Sequence, residues 1–218
     1  MINERSRRSV LILSLSLAAA TFAGTALTQE RQASQEETAK VLEILDVGPG
    51  GVIADIGAGY GGWTVEVARK VGPTGQIFAT EVDSKRLKDI RERVTEAGLT
   101  NVTVVWGSQK DTGLPPGCCD AILLRRVYHH FTYPDAMRES IARALGQDGL
   151  LAIVDFDPRG WRRPDGIPEN RTGHGITKEM LIDEMRLAGF ELVQEADSWP
   201  GRDYCIVFRA KSASGTEP

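Results

Sequence analysis

The sequence predicts an α/β domain with a doubly wound, mostly parallel sheet of seven strands, the last of which runs antiparallel. Short apolar runs alternate with longer segments of helical character, and glycine or a capping residue bounds most of them. Alternating strands and helices require a parallel sheet with helices on both faces. The length of 218 residues, 41% of them hydrophobic and 26% charged, fits one globular domain.

Each strand is predicted where a short apolar run meets turn residues, and each helix where a capping residue precedes a longer segment. The predicted strands are 52–56, 76–82, 101–106, 120–124, 150–156, 190–196 and 204–210. The predicted helices are 30–45, 63–71, 84–97, 134–145 and 178–188. Asp83 or Ser84 is expected to cap the third helix and Thr177 the fifth. A tight connection at 199–201 predicts that the last two strands pair antiparallel.

The first 28 residues have the layout of a secretory signal, with arginines before an apolar stretch and small residues at its end. Residues 6–11, which include Arg7 and Arg8, also look like a twin-arginine signal. We therefore expect an exported or periplasmic protein. Two alternatives stay open: an uncleaved membrane anchor, since about 18 residues can just span a bilayer, and a cytoplasmic chain that begins further along. The expected domain is 29–211, followed by a disordered tail at 212–218.

Charge and cysteine content exclude several classes of protein. The formal charge of -4 argues against nucleic acid as a partner, because that partner requires a basic face. Three cysteines cannot form a disulfide framework, and two of them, Cys118 and Cys119, are adjacent. Neither the cysteines nor the histidines show the spacing of a zinc site, so no metal is expected.

A glycine-rich loop after the first strand is the strongest functional signal. Gly57, Gly59 and Gly62 satisfy the pattern GxGxxG, and Glu81 follows at the end of the second strand. Such a loop lets backbone amides approach a ligand, with the acid placed for ribose hydroxyls. The pattern suits an NAD-dependent oxidoreductase, and the glycines could also serve only a tight turn.

Asp55, two residues before Gly57, favours a cationic ligand, because its carboxylate would repel a pyrophosphate. S-adenosyl-L-methionine carries an ammonium and a sulfonium and no phosphate. Asp55, Gly57, Gly59 and Gly61 resemble the first motif of the class I S-adenosylmethionine-dependent methyltransferases, acid-x-G-x-G-x-G. The resemblance extends over about residues 36–210 and is closest to the small-molecule branch typified by ubiquinone-biosynthesis methyltransferases. The further matching segments are 77–83, 114–115, 119–124, 127–131, 145–150 and 188–190.

The resemblance implies a Rossmann-like fold, S-adenosyl-L-methionine as cofactor and a small-molecule acceptor. Asp55 and the loop of Gly57, Ala58, Gly59 and Gly61 would then position the methionine part of the cofactor. Glu81 would accept hydrogen bonds from both ribose hydroxyls. The adenine ring would lie against Val82.

Two positions depart from the family's pattern. Ser108 stands where the family often has an acid that reaches the adenine amino group, and Asp111 is an alternative for that role. Arg125 and Arg126 stand where related chains often have a small or acidic residue. Because two cations would repel a sulfonium, at least one should turn outward, or bind a carboxylate or an anionic substrate. Arg125 is kept among the cofactor-binding candidates.

Methyl transfer is an in-line displacement in which the protein mainly aligns the reactants, and it needs a general base only for a protonated acceptor. The catalytic candidates follow the fourth and fifth strands: Tyr128, His129, His130 and His174. For the two adjacent histidines, a purely packing role is the alternative. Because S-adenosylmethionine is made in the cytosol, a non-catalytic exported nucleoside-binding module also stays open.

Overall fold

The computed structural model describes residues 35–160, 165–169, 171, 173–196 and 198–211. The fold is that of the compact unit Thr38–Pro218. The predicted signal or anchor at 1–28 and the predicted tail at 212–218 lie outside the described residues and stay predictions. Within the described part, no helix combines the length and the apolarity needed to cross a bilayer.

Seven strands and five helices alternate along the described chain, as predicted. The strands are β1 (Val52–Ile56), β2 (Gln76–Glu81), β3 (Val102–Trp106), β4 (Cys119–Arg125), β5 (Leu145–Phe156), β6 (Phe190–Glu195) and β7 (Asp203–Ala210). The helices are α1 (35–44), α2 (Gly62–Val71), α3 (Ser84–Glu96), α4 (Pro134–Ala144) and α5 (Lys178–Leu187), with a 3₁₀ turn at Tyr128–His130.

The strands form one sheet in the order β3-β2-β1-β4-β5-β7-β6. Strands β1 to β5 pair in parallel, whereas β7 pairs antiparallel with both β5 and β6. The doubly wound sheet with an antiparallel last strand is therefore confirmed. The antiparallel β6–β7 hairpin is confirmed with it.

Alternate residues of the central strands are buried on opposite faces of the sheet. Ile122 and Leu124 of β4 pack in a cluster that includes residues of α4 and α5. Ala121 and Leu123, between them, pack in a second cluster with residues of α1 and α2. Both faces are covered, which explains why these strands are continuous apolar runs in the sequence.

The predicted helix caps are confirmed. The Asp83 carboxylate accepts hydrogen bonds from the amides of Lys85 and Arg86, at 2.8 and 3.2 Å. The Thr177 hydroxyl accepts one from the amide of Met180, at 3.2 Å. Helix α2 begins instead after Gly61, which has a positive φ of 73° and no side chain to cap with.

Strand β5 corrects one prediction, because it begins at Leu145 rather than at residue 150. Cys119 of β4 pairs with Leu145, and the register then shifts so that Ala121 pairs with Leu150. The residues in between include Asp148 with φ 62° and two glycines, a composition typical of a turn. The irregular start of β5 forms because it pairs with β4. The local sequence gives no sign of this pairing.

Candidate active site

A cavity lies at the carboxyl edge of the sheet, where the strand order reverses between β1 and β4. Ligands of open α/β sheets bind at such a switch point. Gly57, Glu81, Val82, Ser108 and His130 line this cavity, and all five were predicted as site residues. The sheet thus brings residues from four separate chain segments to one cavity.

The glycine loop is held against the end of β2. The amides of Gly57 and Ala58 both donate to the carbonyl of Thr80, at 3.0 Å. Gly57 has φ 68°, and a Cβ there would lie 2.4 Å from Cγ2 of Val127. No residue other than glycine fits this position without strain and a clash. A Cβ on Gly59, in contrast, would meet no atom within 4 Å, so the backbone faces open space there.

Glu81 and Val82 form the end of β2 at the cavity. One carboxylate oxygen of Glu81 accepts from the amide of Gly59 at 3.0 Å, and the other accepts from the amide of Val82 at 2.8 Å. The oxygen that binds Val82 also accepts from the amide of Asp83 at 3.4 Å, and Nη1 of Arg86 lies 3.8 Å from the other oxygen. The Val82 side chain is 51% exposed, an apolar surface beside a fixed carboxylate. This combination fits a nucleoside, with the sugar on the carboxylate and the base on the valine.

Asp55 lies under the glycine loop at the end of β1 and is 3% exposed. Burial raises its pKa from 3.8 to about 6, although a hydrogen bond from the Thr64 hydroxyl, at 2.6 Å, and the charge of Arg125 both lower it. The Arg125 guanidinium packs over the Trp63 ring, with 4.9 Å from Cζ to the ring centroid. A buried carboxylate and a cation therefore stand together beside the loop.

Arg126 points to a different partner. Its Nε and Nη2 donate to the two carboxylate oxygens of Asp203, at 2.6 and 3.1 Å. The expectation that at least one arginine of the pair binds a carboxylate is therefore confirmed. Asp203 was not predicted from the sequence, because it begins β7, far along the chain from β4.

Ser108 and Asp111 shape a turn at the cavity wall. The Ser108 hydroxyl accepts from the amides of Lys110 and Asp111, at 3.2 and 3.0 Å. The Asp111 carboxylate accepts from the amide of Gly113 at 2.7 Å and from the Arg143 guanidinium at 2.8 Å. Both Asp111 oxygens thus have protein partners. That either residue contacts adenine stays a prediction.

The structure corrects the selection of Tyr128 as a catalytic candidate. Its side chain is fully buried, and its hydroxyl donates to Glu184 and accepts from Arg138, both at 2.8 Å. Burial and the Glu184 charge raise the pKa of Tyr128 well above its ordinary value. Arg171 also donates to Glu184, at 2.8 Å. Tyr128 therefore belongs to a buried polar network behind the cavity and cannot serve as a base there.

His129, His130 and His174 form one cluster, hereafter the histidine cluster. His129 is 1% exposed, and its Nδ1 lies 2.8 and 3.0 Å from the carboxylate oxygens of Asp155 at the end of β5. Its Nε2 lies 3.2 Å from Nε2 of His174, which in turn lies 3.4 Å from Nε2 of His130. The cluster stands beside the cavity, since His130 is part of its wall.

Two separate segments of the chain bring the histidines to the cluster. His129 and His130 belong to the 3₁₀ turn after β4, and His174 comes from the segment after β5. The amide of Arg159 donates to the carbonyl of His174 at 2.9 Å and so fixes its backbone. Burial, reinforced by the other two imidazoles, lowers the pKa of His130 to about 4, and burial lowers that of His174.

The histidine cluster shows that the argument against a metal site does not hold. That exclusion rested on spacing along the sequence, whereas in space one ligand atom from each histidine lies within 4.8 Å of the others. Cys119, which the sequence argument grouped with the histidines, begins β4 at the opposite end of the strand. Sequence reasoning also missed Gln109 and Thr132 as cavity residues. Gln109 follows the third predicted strand closely, which was an available signal, whereas Thr132 lies beyond the 3₁₀ turn and had none.

Comparison with known proteins favours one of the two cofactors that the glycine pattern allows. Residues 53–149 match the family model described as a methyltransferase domain. Over this region the chain resembles the class I S-adenosylmethionine-dependent methyltransferases. The cofactor of that family is S-adenosyl-L-methionine, and the cavity of this chain offers the carboxylate and apolar wall that a nucleoside requires.

The chain is similar to curated quinone-pathway enzymes. It is 28% identical over 159 residues to a Pseudomonas putida ubiquinone/menaquinone biosynthesis C-methyltransferase UbiE, covering 72% of this chain and 59% of the relative. It is 28% identical over 131 residues to a demethylmenaquinone methyltransferase of Listeria monocytogenes, covering 57% and 54%. The chain thus spans a little over half the length of these relatives.

Solved structures share the fold at low sequence identity. A SAM-dependent methyltransferase from Aquifex aeolicus aligns with a TM-score of 0.65 and 23% identity, covering 78% of this chain and 87% of that one. The [4+2]-cyclase SpnF aligns with a TM-score of 0.63 and 22% identity, covering 75% and 60%. At such identities the likeness concerns the fold alone.

Proposed function

We propose that the chain is an S-adenosylmethionine-dependent methyltransferase that acts on a small molecule. The observation that carries this proposal is the cavity at the carboxyl edge of the sheet. The glycine loop and the Glu81 carboxylate form one part of its wall, and His130 forms another. One cavity therefore brings the residues assigned to the cofactor next to a second surface, which we assign to the acceptor.

We assign the cofactor contacts to two groups of residues. Glu81 binds the ribose hydroxyls and Val82 packs against adenine, because they supply the carboxylate and the exposed apolar surface. Asp55 and Arg125 face the amino-acid end of the cofactor across the glycine loop. Their opposite charges match its ammonium and carboxylate. Ser108 lies on the adenine side of the cavity.

Methyl transfer depends more on the alignment of the acceptor with the methyl group than on proton transfer. When bound, S-adenosylmethionine supplies a methyl group on a positively charged sulfur. The protein holds the acceptor in line with that methyl group and excludes water, an effect that can lower a barrier by several kcal/mol. The acceptor side is the part of the cavity near His130, Phe131 and Met137, which is mainly apolar and suits an organic molecule.

Calorimetry with S-adenosylhomocysteine and with NADH tests the cofactor. We expect S-adenosylhomocysteine to bind and NADH to bind far more weakly or not at all. A screen that detects S-adenosylhomocysteine release then compares quinols, other phenols, amines and thiols. Quinols come first, because the relatives named above are quinone-pathway methyltransferases. No heat with S-adenosylmethionine or its product, or tighter binding of NADH, contradicts the proposal.

Export is a separate proposal that rests on residues 1–28 and their arginine-led apolar stretch. Fractionation of cells that express the full chain, with N-terminal sequencing of the recovered protein, tests it. We expect the protein outside the cytosol and shortened near residue 28. A full-length chain in the cytosolic fraction contradicts it.

A further inference from the structure

We infer that the histidine cluster is a zinc site with three protein ligands and one open position at the edge of the cavity. His129, His130 and His174 each supply one ring nitrogen. Metal binding itself does not depend on the proposed methyltransferase activity. The role assigned to the metal below does rest on that activity.

The spacing of the nitrogens fits a tetrahedral metal ion. Zn–N bonds of about 2.0–2.1 Å at tetrahedral angles place ligand nitrogens about 3.3–3.4 Å apart. The two measured Nε2–Nε2 distances are 3.2 Å and 3.4 Å, both from His174. The third distance, between His129 and His130, is at most 4.8 Å, so these two rings need to approach each other by at most about 1.5 Å to surround one ion.

Hydrogen bonds among the rings do not account for this arrangement. A neutral imidazole nitrogen either donates one proton or offers one lone pair. Nε2 of His174 nevertheless lies within hydrogen-bond distance of two other Nε2 atoms. It can satisfy only one of them. A cation at the centre accepts all three lone pairs at once.

Asp155 supplies the supporting contact that zinc-bound histidines ordinarily have. Its buried carboxylate accepts from Nδ1 of His129, which fixes the ring and leaves the Nε2 lone pair directed into the cluster. The amide of Phe156 donates to the same carboxylate at 2.9 Å and holds it in place. This is the carboxylate–histidine–metal arrangement, present before any metal is bound.

The chemistry of the donors selects the metal. Imidazole nitrogens favour zinc and its first-row neighbours over magnesium and calcium, which prefer oxygen. Three protein ligands with a free position are typical of catalytic rather than structural zinc. Since His130 is both a ligand and a cavity wall residue, the free position adjoins the space assigned to the acceptor.

The inferred role is to bind the acceptor's hydroxyl or thiol as an anion. Zinc lowers the pKa of a bound O–H or S–H group, whose proton leaves to solvent. A lone pair of the bound oxygen or sulfur then forms the new bond to the methyl carbon. The bond from that carbon to the sulfonium breaks, and its electron pair stays on sulfur. Zinc keeps its oxidation state throughout.

Competition for Zn²⁺ between the full-length, tag-free chain and a chromophoric chelator tests the site. The sequence has three histidines in all, so a histidine tag must be absent. We expect one Zn²⁺ per chain. His130→Gln and His174→Gln should each weaken binding by about 100-fold or more, and Asp155→Asn by about 10- to 100-fold. Cys118→Ser, a change outside the cluster, should leave the affinity unaltered.

Two further measurements make the result decisive. Co²⁺ in place of Zn²⁺ should give the visible absorption of a tetrahedral site in the parent chain and not in the histidine variants, whose fold is checked by circular dichroism. No Zn²⁺ binding by the parent chain, or binding that survives in both histidine variants, overturns the inference. S-adenosylhomocysteine calorimetry on the same samples separates the proposals: cofactor binding without zinc overturns this one alone, and zinc without cofactor overturns the methyltransferase alone.

Discussion

Replacing Asp55 with asparagine should stabilise the cofactor-free chain and weaken cofactor binding. Both effects follow from one buried carboxylate. Without a ligand, ionised Asp55 has lost its water and gains only partial compensation from Thr64 and Arg125. With a ligand, the same charge attracts the cofactor's ammonium. Asparagine keeps the shape and can still accept the Thr64 hydrogen bond, so charge is the main difference.

The magnitude comes from the pKa of Asp55. The rise from 3.8 to about 6 corresponds to about 3 kcal/mol of unfolding free energy. Because the folded pKa lies above the unfolded one, the contribution of Asp55 to stability is most favourable below about pH 4, falls between pH 4 and 6, and levels off above about pH 6. Asp55→Asn removes this dependence. Its advantage over the native chain should therefore grow by about 1.4 kcal/mol between pH 5 and pH 8.

Urea unfolding of the cofactor-free proteins at pH 5, 6, 7 and 8 measures the effect, and calorimetry with S-adenosylhomocysteine measures affinity at the same pH values. The native chain should bind more tightly as the pH rises toward 7, and the variant should show a flatter profile and lower affinity. Asp183→Asn, on the exposed face of α5, is the matched control. A variant that is less stable than the native chain at pH 8, or that binds equally well, refutes the reasoning.

Three other substitutions test the cavity and its surroundings. Glu81→Gln should weaken S-adenosylhomocysteine binding by about 1.5–3 kcal/mol in calorimetry, because a charged acceptor is lost. The control Glu92→Gln, on the exposed face of α3, should leave the affinity unchanged. Equal affinities of the two variants would show that Glu81 does not bind the cofactor. Gly57→Ala should lower the unfolding free energy by more than about 2 kcal/mol. A left-handed backbone alone costs about 1–2 kcal/mol, and the new Cβ would also lie 2.4 Å from Cγ2 of Val127. Gly59→Ala, with open space around it, should cost less, and the opposite order in urea unfolding would contradict the clash. Tyr128→Phe should cost about 1–2 kcal/mol of stability and leave turnover of any acceptor intact; a large fall in kcat at unchanged stability would restore Tyr128 as a catalytic residue.

The sequence predicts the buried strands well because both of their faces are covered. β1 was predicted without error, and the predicted β2 ended one residue late, since each is a short apolar run that ends at polar or glycine residues. The start of β5 was missed because residues 146–149 have turn composition, and only the partner strand makes them part of the ladder. Local patterns report burial and turns, but they do not report pairing.

The site residues also differ in how far the local sequence predicts them. The glycine loop and Glu81 follow from spacing, because one strand–loop–helix unit and the next strand tip carry them. The histidine cluster does not, because His174 is placed by a backbone bridge to Arg159, and its partners follow a different strand. The network of Tyr128, Glu184 and Arg171 is likewise a product of tertiary packing, with no signal in the local sequence.

His174 is held in place by contacts that involve residues near it in the sequence. Arg159 holds its carbonyl, and Arg171, three residues earlier, is tied to Glu184 of α5. A change of sequence between Arg159 and Arg171 should therefore leave His174 in place as long as these two contacts and the buried Ile167 persist. The acceptor side of the cavity can then vary while the three imidazoles keep their positions.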